Sequence, residues 1–179
     1  DNKKGVIQVV YNNVLDAMGH TPLIRLNRMA EPGDAQVLVK FEALNVGGSI
    51  KTRTAMHMLE KAEAEGKIHE NTVIVEPTSG NQGIGLALVG ALKGYKTVII
   101  MPDSVSEERR KLVRHYGAEV ILVHDAGDIG ACIRECLERA LSMARENPDV
   151  YVPQQFENEA NVEVHKLQTA REILEQAET

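Results

Sequence analysis

From residue 72 onward the chain alternates short β-branched runs with helical patterns, and this alternation most limits what it can fold into. "TVIVE" precedes a helical stretch at 82–92, "TVIIM" one at 106–116 and "AEVILV" one at 128–145, with "VYV" following at 150–152. Short continuous apolar runs separated by helices make βαβ units, in which a parallel sheet is covered on both faces. The middle of the chain is therefore expected to be an α/β sandwich. Ahead of it, "TPLIRLN" and "QVLVKFE" read as two strands joined by the turn-rich "AEPGDA", followed by a helix that begins at "SIKTR". Behind it, "NEANVEVHKLQTAREILEQAE" reads as one more helix, with Leu167, Ala170, Leu174 and Ala177 on one face. Beyond the strand-helix alternation there is neither a sequence repeat nor a low-complexity linker.

Composition narrows the function. Twenty basic against twenty-six acidic residues leave a formal charge of −6, so no general attraction to nucleic acid or anionic lipid is expected. The longest mostly apolar run, "GIGLALVGAL", is about half the ~20 residues of a membrane helix. No secretory signal is visible at "DNKKGVIQVV". The two cysteines, Cys132 and Cys136, share a helical face with Ile129, Ile133, Leu137, Ala140, Leu141 and Ala144, and are expected to be buried small hydrophobes in a reducing, cytoplasmic setting. The six histidines show no metal-ligand spacing, so no metal is assigned. "SEERRKLVRHY" reads as a solvated amphipathic helix, with Arg109, Leu112, Val113 and Tyr116 on one side. Glu163 and His165 on the last helix are open to either a surface or a site role.

Two glycine-rich turns carry the chemistry. "EPTSGNQGIG" leaves a strand and enters a helix, so Thr78, Ser79, Gly80, Asn81 and Gln82 can surround a carboxylate or phosphate with backbone and side-chain donors. Alternatively Gly80 and Gly83 merely permit a tight turn. "NVGGSIK" is the second turn, with Ser49 placed as a helix cap and Lys51 in the first helical turn. The positive end of a helix dipole disfavours a cation there, which favours a free amine able to attack an aldehyde; the alternative, which the lysine by itself favours, is a solvent-facing side chain at slight cost.

At these residues the chain resembles the pyridoxal-phosphate enzymes of fold type II, in particular the cysteine synthase and cystathionine β-synthase group. The resemblance rests on "GHTPLIRL", "NVGGSIKTR", "EPTSGNQGIGLA", "KGYKTVIIMPDSVSEERRKLVRHYGAEVILV" and "QQFENEANVEVH", in that order along nearly the whole chain. It implies α/β lobes built on parallel sheets in three layers, the tryptophan synthase β-like architecture. Residues 1–44 would begin a large cofactor-binding domain, residues 45–150 would form a smaller mobile domain, and residues 151–179 would start the return. The cofactor implied is pyridoxal 5′-phosphate, held by Lys51, which also moves protons on the substrate. Asn81 would bond the cofactor's ring oxygen, while Thr78, Ser79, Gly80, Gln82 and Gln155 would bind an amino acid's α-carboxylate.

The family reaction loses a β-substituent from a serine derivative, passes through an aminoacrylate, and adds a nucleophile such as sulfide. Cysteine formation from O-acetylserine is the leading expectation. Cystathionine formation, cysteine desulfhydration, and a silent relative acting as a binding partner are the alternatives. Family members are longer, so the resemblance also implies a companion chain or segment with the carboxyl-terminal half, and a homodimer of the complete unit. Five positions depart from the family's usual pattern: His20, Val46, Thr52, Gln82 and Glu159. Gln82 bears most on substrate identity, because a long amide in the carboxylate loop could reach the substrate.

Overall fold

The computed structural model describes residues 10–28, 31 and 33–177. Four parallel strands, β3 (Val73–Pro77), β4 (Lys96–Pro102), β5 (Glu119–Val123) and β6 (Val150–Tyr151), form a sheet in the order β5-β4-β3-β6. A separate antiparallel pair precedes it, β1 (Leu23–Arg25) with β2 (Leu38–Lys40), in the register Ile24 to Val39. Both expected amino-terminal strands are thus present. Of the turn between them, Ala30 and Pro32 lie outside the described residues, while Asp34 donates its N–H to the Glu31 carbonyl at 3.0 Å.

The helices are α1 (Lys51–Ala64), α2 (Asn81–Lys93), α3 (Glu107–His115), α4 (Ile129–Glu146), α5 (Ala160–Val164) and α6 (Ala170–Ala177). One face of the sheet packs Ile74, Ile99 and Met101 against Ala55 and Leu59 of α1 and Leu86 and Val89 of α2. The other face packs Val75, Val98 and Ile100 against Cys132, Cys136 and Ala140 of α4. The alternation of side chains along a strand sends neighbours to opposite layers, which is why β3 up to Val75 and β4 from Val98 to Met101 read as continuous apolar runs. Both cysteines are free and buried, and burial pushes the Cys136 thiol up to about 12.

Two helical readings are corrected in detail. On α4 the buried stripe is narrower than the sequence face: Cys132, Cys136 and Ala140 are buried, whereas Ile129, Ile133 and Leu137 are 38–51% exposed. The last helix is three pieces, since a π-helical turn, His165–Thr169, separates α5 from α6. The extra residue in that turn rotates the helix surface. Its buried positions become Ala160, Val164, Thr169 and Glu172, and Leu167 and Leu174 are left 43% and 63% exposed.

An ionic core joins α1 to the segments on either side. Arg53, two residues after Lys51, is 1% exposed and grips two carboxylates. Its Nη1 and Nη2 donate to Glu172 at 2.6 and 2.7 Å, and its Nε and Nη2 donate to Glu42 at 2.9 Å each. Lys40 on β2 adds a 2.6 Å pair to Glu172, and Thr21 and Asn45 donate to Glu42 at 2.6 and 2.9 Å. Burial works against the Glu172 carboxylate, but hydrogen bonds from Arg53, Lys40 and the His20 backbone, with the Arg53 charge, bring it down to about 2. Breaking one partner of such a cluster strands an unpaired charge, at about 3–5 kcal/mol. The start of α1 is therefore fixed from three directions.

Candidate active site

In an open parallel sheet, ligands bind beyond the carboxyl ends of the strands, where the strand order reverses. Here the chain leaves β3 for β4 on one side and comes back to β6 on the other, so the reversal lies between β3 and β6. The loop after β3 is Thr78–Gly80, and the loop after β6 spans residues 152–159 and contains Gln154, Gln155 and Phe156. A recess of about 100 Å³ opens between them, lined by Thr78, Ser79, Gln155 and Phe156 with Ile133 and Cys136 of α4 beneath. Three of the expected carboxylate-binding residues are thus brought to one place.

The β3 loop is held by few but specific contacts. The Thr78 N–H donates to the Ile100 carbonyl at 3.0 Å, and the Gly80 N–H donates to the Thr78 hydroxyl at 3.3 Å. Gly80 is the N-cap of α2, and Asn81 opens the helix with its side chain exposed. The first backbone N–H groups of a helix have no partner within it, so this end suits an anion. Gly83, in the first turn, is needed as glycine: a Cβ there would stand 2.9 Å from the Thr78 methyl.

Gln82 behaves differently from the expectation. Its side chain turns away from the recess and into the interface of α1 and α2, 1% exposed. The Thr54 hydroxyl donates to its Oε1 at 2.6 Å, and its Nε2 lies 3.8 Å from the Met58 sulfur. What Gln82 offers the loop is its backbone.

Lys51 opens α1, half-buried, and the Ser49 hydroxyl accepts its N–H at 3.2 Å. Ser49 therefore serves the helix end, although Ile50 occupies the formal cap position. Helix α2 approaches this turn closely, since a Cβ on Gly85 would stand 2.7 Å from the Lys51 carbonyl oxygen. Asn81 lies one turn before Gly85 on the same face of α2, which puts the starts of the two helices side by side. His165, in the π-helical turn, lies within reach of the same charges. Burial lowers its pKa first, and the positive Lys51 and Arg53 lower it further against Glu42. Glu163 instead faces the outer side of α1, 2.6 Å from Lys61 and 3.1 Å from His57.

Two residues near the recess were not legible as site residues. Arg109, read as part of a solvated helix, donates from Nη1 to the Ser79 carbonyl at 3.1 Å. Glu76 is buried beneath both loops and accepts from the Gln154 and Gln155 N–H groups at 2.9 and 3.0 Å. The available signal was a carboxylate inside "TVIVEP", where an ionisable side chain in a doubly covered strand calls for a partner. Among the described residues no group of three or more His, Cys, Asp or Glu could hold a metal, and no helix is long and apolar enough to cross a membrane.

Comparison with known proteins fits this geometry. The family model described as "Pyridoxal-phosphate dependent enzyme" matches residues 14–179. A cysteine synthase of Flavobacterium sp. is 46% identical over 92% of this chain and 52% of its own length. One of Staphylococcus aureus is 47% identical over 93% of this chain and 52% of its own. Among solved structures, a hydrogen sulfide-producing enzyme from Fusobacterium nucleatum superposes with a TM-score of 0.87 at 42% identity, covering 97% of this chain and 55% of that one. O-ureido-L-serine synthase gives 0.80 at 40% identity, covering 93% and 51%. The chain spans about half the length of the curated relatives it matches. With a family model matched over most of its length and the glycine-rich turn after β3 set at the sheet's reversal point, the chain belongs to the pyridoxal-phosphate dependent enzyme family.

Proposed function

We propose that the protein acts in a β-replacement on a serine derivative, making cysteine from O-acetylserine and sulfide, with Lys51 as the catalytic amine. The observation that carries this reading is the pairing of two helix starts, one bearing Lys51 and the other Asn81, the second of which leaves the loop whose Thr78 and Ser79 border a recess with Gln155. The cysteine synthase relatives support the same choice of substrates.

The residues fit pyridoxal phosphate. A half-buried primary amine at the α1 start suits the cofactor's aldehyde, and the exposed Asn81 amide beside it can hydrogen-bond the ring oxygen. When bound, the cofactor supplies an electron sink that makes the bonds at the amino acid's α-carbon labile. The chain's own part is to bind and orient. The substrate's α-carboxylate would lie in the recess, met by the first N–H groups of α2, by Thr78 and Ser79, and by the Gln155 amide. Fixing the carboxylate there fixes which α-carbon bond faces Lys51, whose amine can take the α-proton and return one later. Gln82 takes part through its backbone, its amide being committed to Thr54. His165 in the π-helical turn stands in the field of Lys51, and burial with the positive Lys51 and Arg53 lowers its pKa. The lobe from about residue 45 to 150 closing over the substrate, a homodimer, a cytoplasmic setting and a companion segment completing the unit belong to this proposal.

Product analysis tests it. The full-length, cofactor-loaded protein is given O-acetylserine with sulfide, serine with homocysteine, and cysteine alone. Cysteine accumulating fastest from the first mixture is the expected result. Cystathionine or sulfide release as the dominant product would move the assignment within the family, and no turnover of any mixture would overturn it.

A further inference from the structure

Strand β3 is central, and its neighbours Ile74 and Val75 are fully buried, yet the next residue is a glutamate only 1% exposed. Among the described residues no side-chain cation pairs with it. Its two oxygens instead accept backbone N–H groups, Oε2 from Gln154 at 2.9 Å and Oε1 from Gln155 at 3.0 Å. The reason lies in the sheet edge. Strand β6 pairs with β3 only at Val73 to Val150 and Ile74 to Tyr151, after which Pro153, lacking an N–H, carries the chain off the ladder. The following two N–H groups would be left without strand partners, and the Glu76 side chain takes them in the ladder's place.

The segment held this way is a strained turn. Gln154 has φ +53, in the left-handed region that a residue with a Cβ adopts at a cost. Gln155 is gripped from the other side as well, because the Asn161 side-chain amide donates to its carbonyl at 2.7 Å. Thr78, the first residue after β3, stands two residues beyond Glu76, so one carboxylate underlies both loops that border the recess. Burial pushes the Glu76 carboxyl up to about 7 while the two N–H groups draw it back. An apolar residue would fill the strand position without that desolvation cost, but it could not hold two N–H groups.

We propose that Glu76 is a positioning residue for substrate: by holding the Gln154 and Gln155 N–H groups it locks the turn after β6 against the loop after β3. Gln155 is thereby presented beside Thr78 and Ser79 for an amino acid's α-carboxylate. The inference rests on the recess being the carboxylate site of the proposed reaction.

The test is Glu76→Gln in the full-length, cofactor-loaded protein, a change that keeps the volume but turns one acceptor into a donor facing an N–H. The KM for the amino-acid substrate rises about tenfold, the effect of a buried hydrogen bond lost from a binding loop. The kcat stays within about threefold, as expected when binding rather than the chemical step is affected. The cofactor's visible absorbance is unchanged, and the Gln154 and Gln155 amides exchange with solvent faster than in the wild type. An unchanged KM, or KM and kcat failing together with the absorbance, overturns the positioning role. Amide exchange is read without turnover and separates the two claims. If the wild type makes no β-replacement product, the reaction assignment falls, whereas rapid exchange of these two amides in the wild type overturns the clamp itself.

Discussion

Single residues divide into those whose chemistry the sequence displays and those whose role depends on which way a side chain turns. Lys51 and Asn81 belong to the first kind, since their place at helix starts after glycine turns, read together with the family resemblance, singles them out. Gln82 belongs to the second. Its position in the loop suggested a substrate contact, but the helical turn directs its amide at Thr54 inside the protein. Gln82→Leu is accordingly expected to lower stability by only about 1 kcal/mol, the net loss of one buried hydrogen bond, because the Thr54 hydroxyl keeps the Lys51 carbonyl within reach at 3.0 Å. The KM for the amino acid should change little, and a large KM change at unaltered stability would return Gln82 to the substrate. Glu76 makes a pH prediction. Its carboxyl binds a proton more tightly in the folded state, at about 7 against 4.5, so its contribution to stability falls as pH rises from 4.5 and levels off above 7. The full swing is about 3 kcal/mol. Urea unfolding of the Glu76→Gln variant from pH 5 to 8 should show a flatter dependence than the wild type, and parallel curves would contradict it.

At the scale of elements, periodicity identified α1 to α4 and the parallel strands because each buries a stripe or face of the matching period. It failed at the carboxyl-terminal helix, where the π-helical turn breaks the period and a charged residue, Glu172, occupies a buried position. No hydrophobic pattern can report a helix anchored by an ion pair. The same holds for α1, whose start is set by Arg53 between Glu42 and Glu172 and by the approach of α2 at Gly85. Gly85→Ala weighs two effects against each other. Alanine favours a helix over glycine by about 1 kcal/mol, but its methyl would meet the Lys51 carbonyl, and overpacking of this kind costs about 1–3 kcal/mol. The clash is with backbone and cannot be relieved by a rotamer, so a net loss of stability and weaker cofactor retention are expected. A thermal melt showing Gly85→Ala more stable, with absorbance intact, would mean that the two helix starts do not need this approach.

For the molecule as a whole, the order of strands and helices made the α/β class legible, but the strand order β5-β4-β3-β6 could not be read from one sequence. That order decides where the site is, because it brings the loop after β6 beside the loop after β3 although about seventy residues separate them in the chain. The resemblance grouped Gln155 with Thr78 and Ser79, and the topology supplies the physical reason that they meet at one recess. Elsewhere the molecule keeps apolar surface open. Ile24, Leu38 and Val39 on the β1–β2 pair are 36–40% exposed, and a two-stranded pair in water has little stability of its own.

Everything functional in this account depends on one side chain, and borohydride reduction addresses it directly. Reducing the full-length protein in the presence of pyridoxal phosphate, then mapping the adduct by peptide mass, should give a single pyridoxyl group on Lys51, with loss of the visible band. An adduct on another lysine, or a bound cofactor that reduction leaves unattached, would contradict the assignment of Lys51 and with it the site built around the two helix starts.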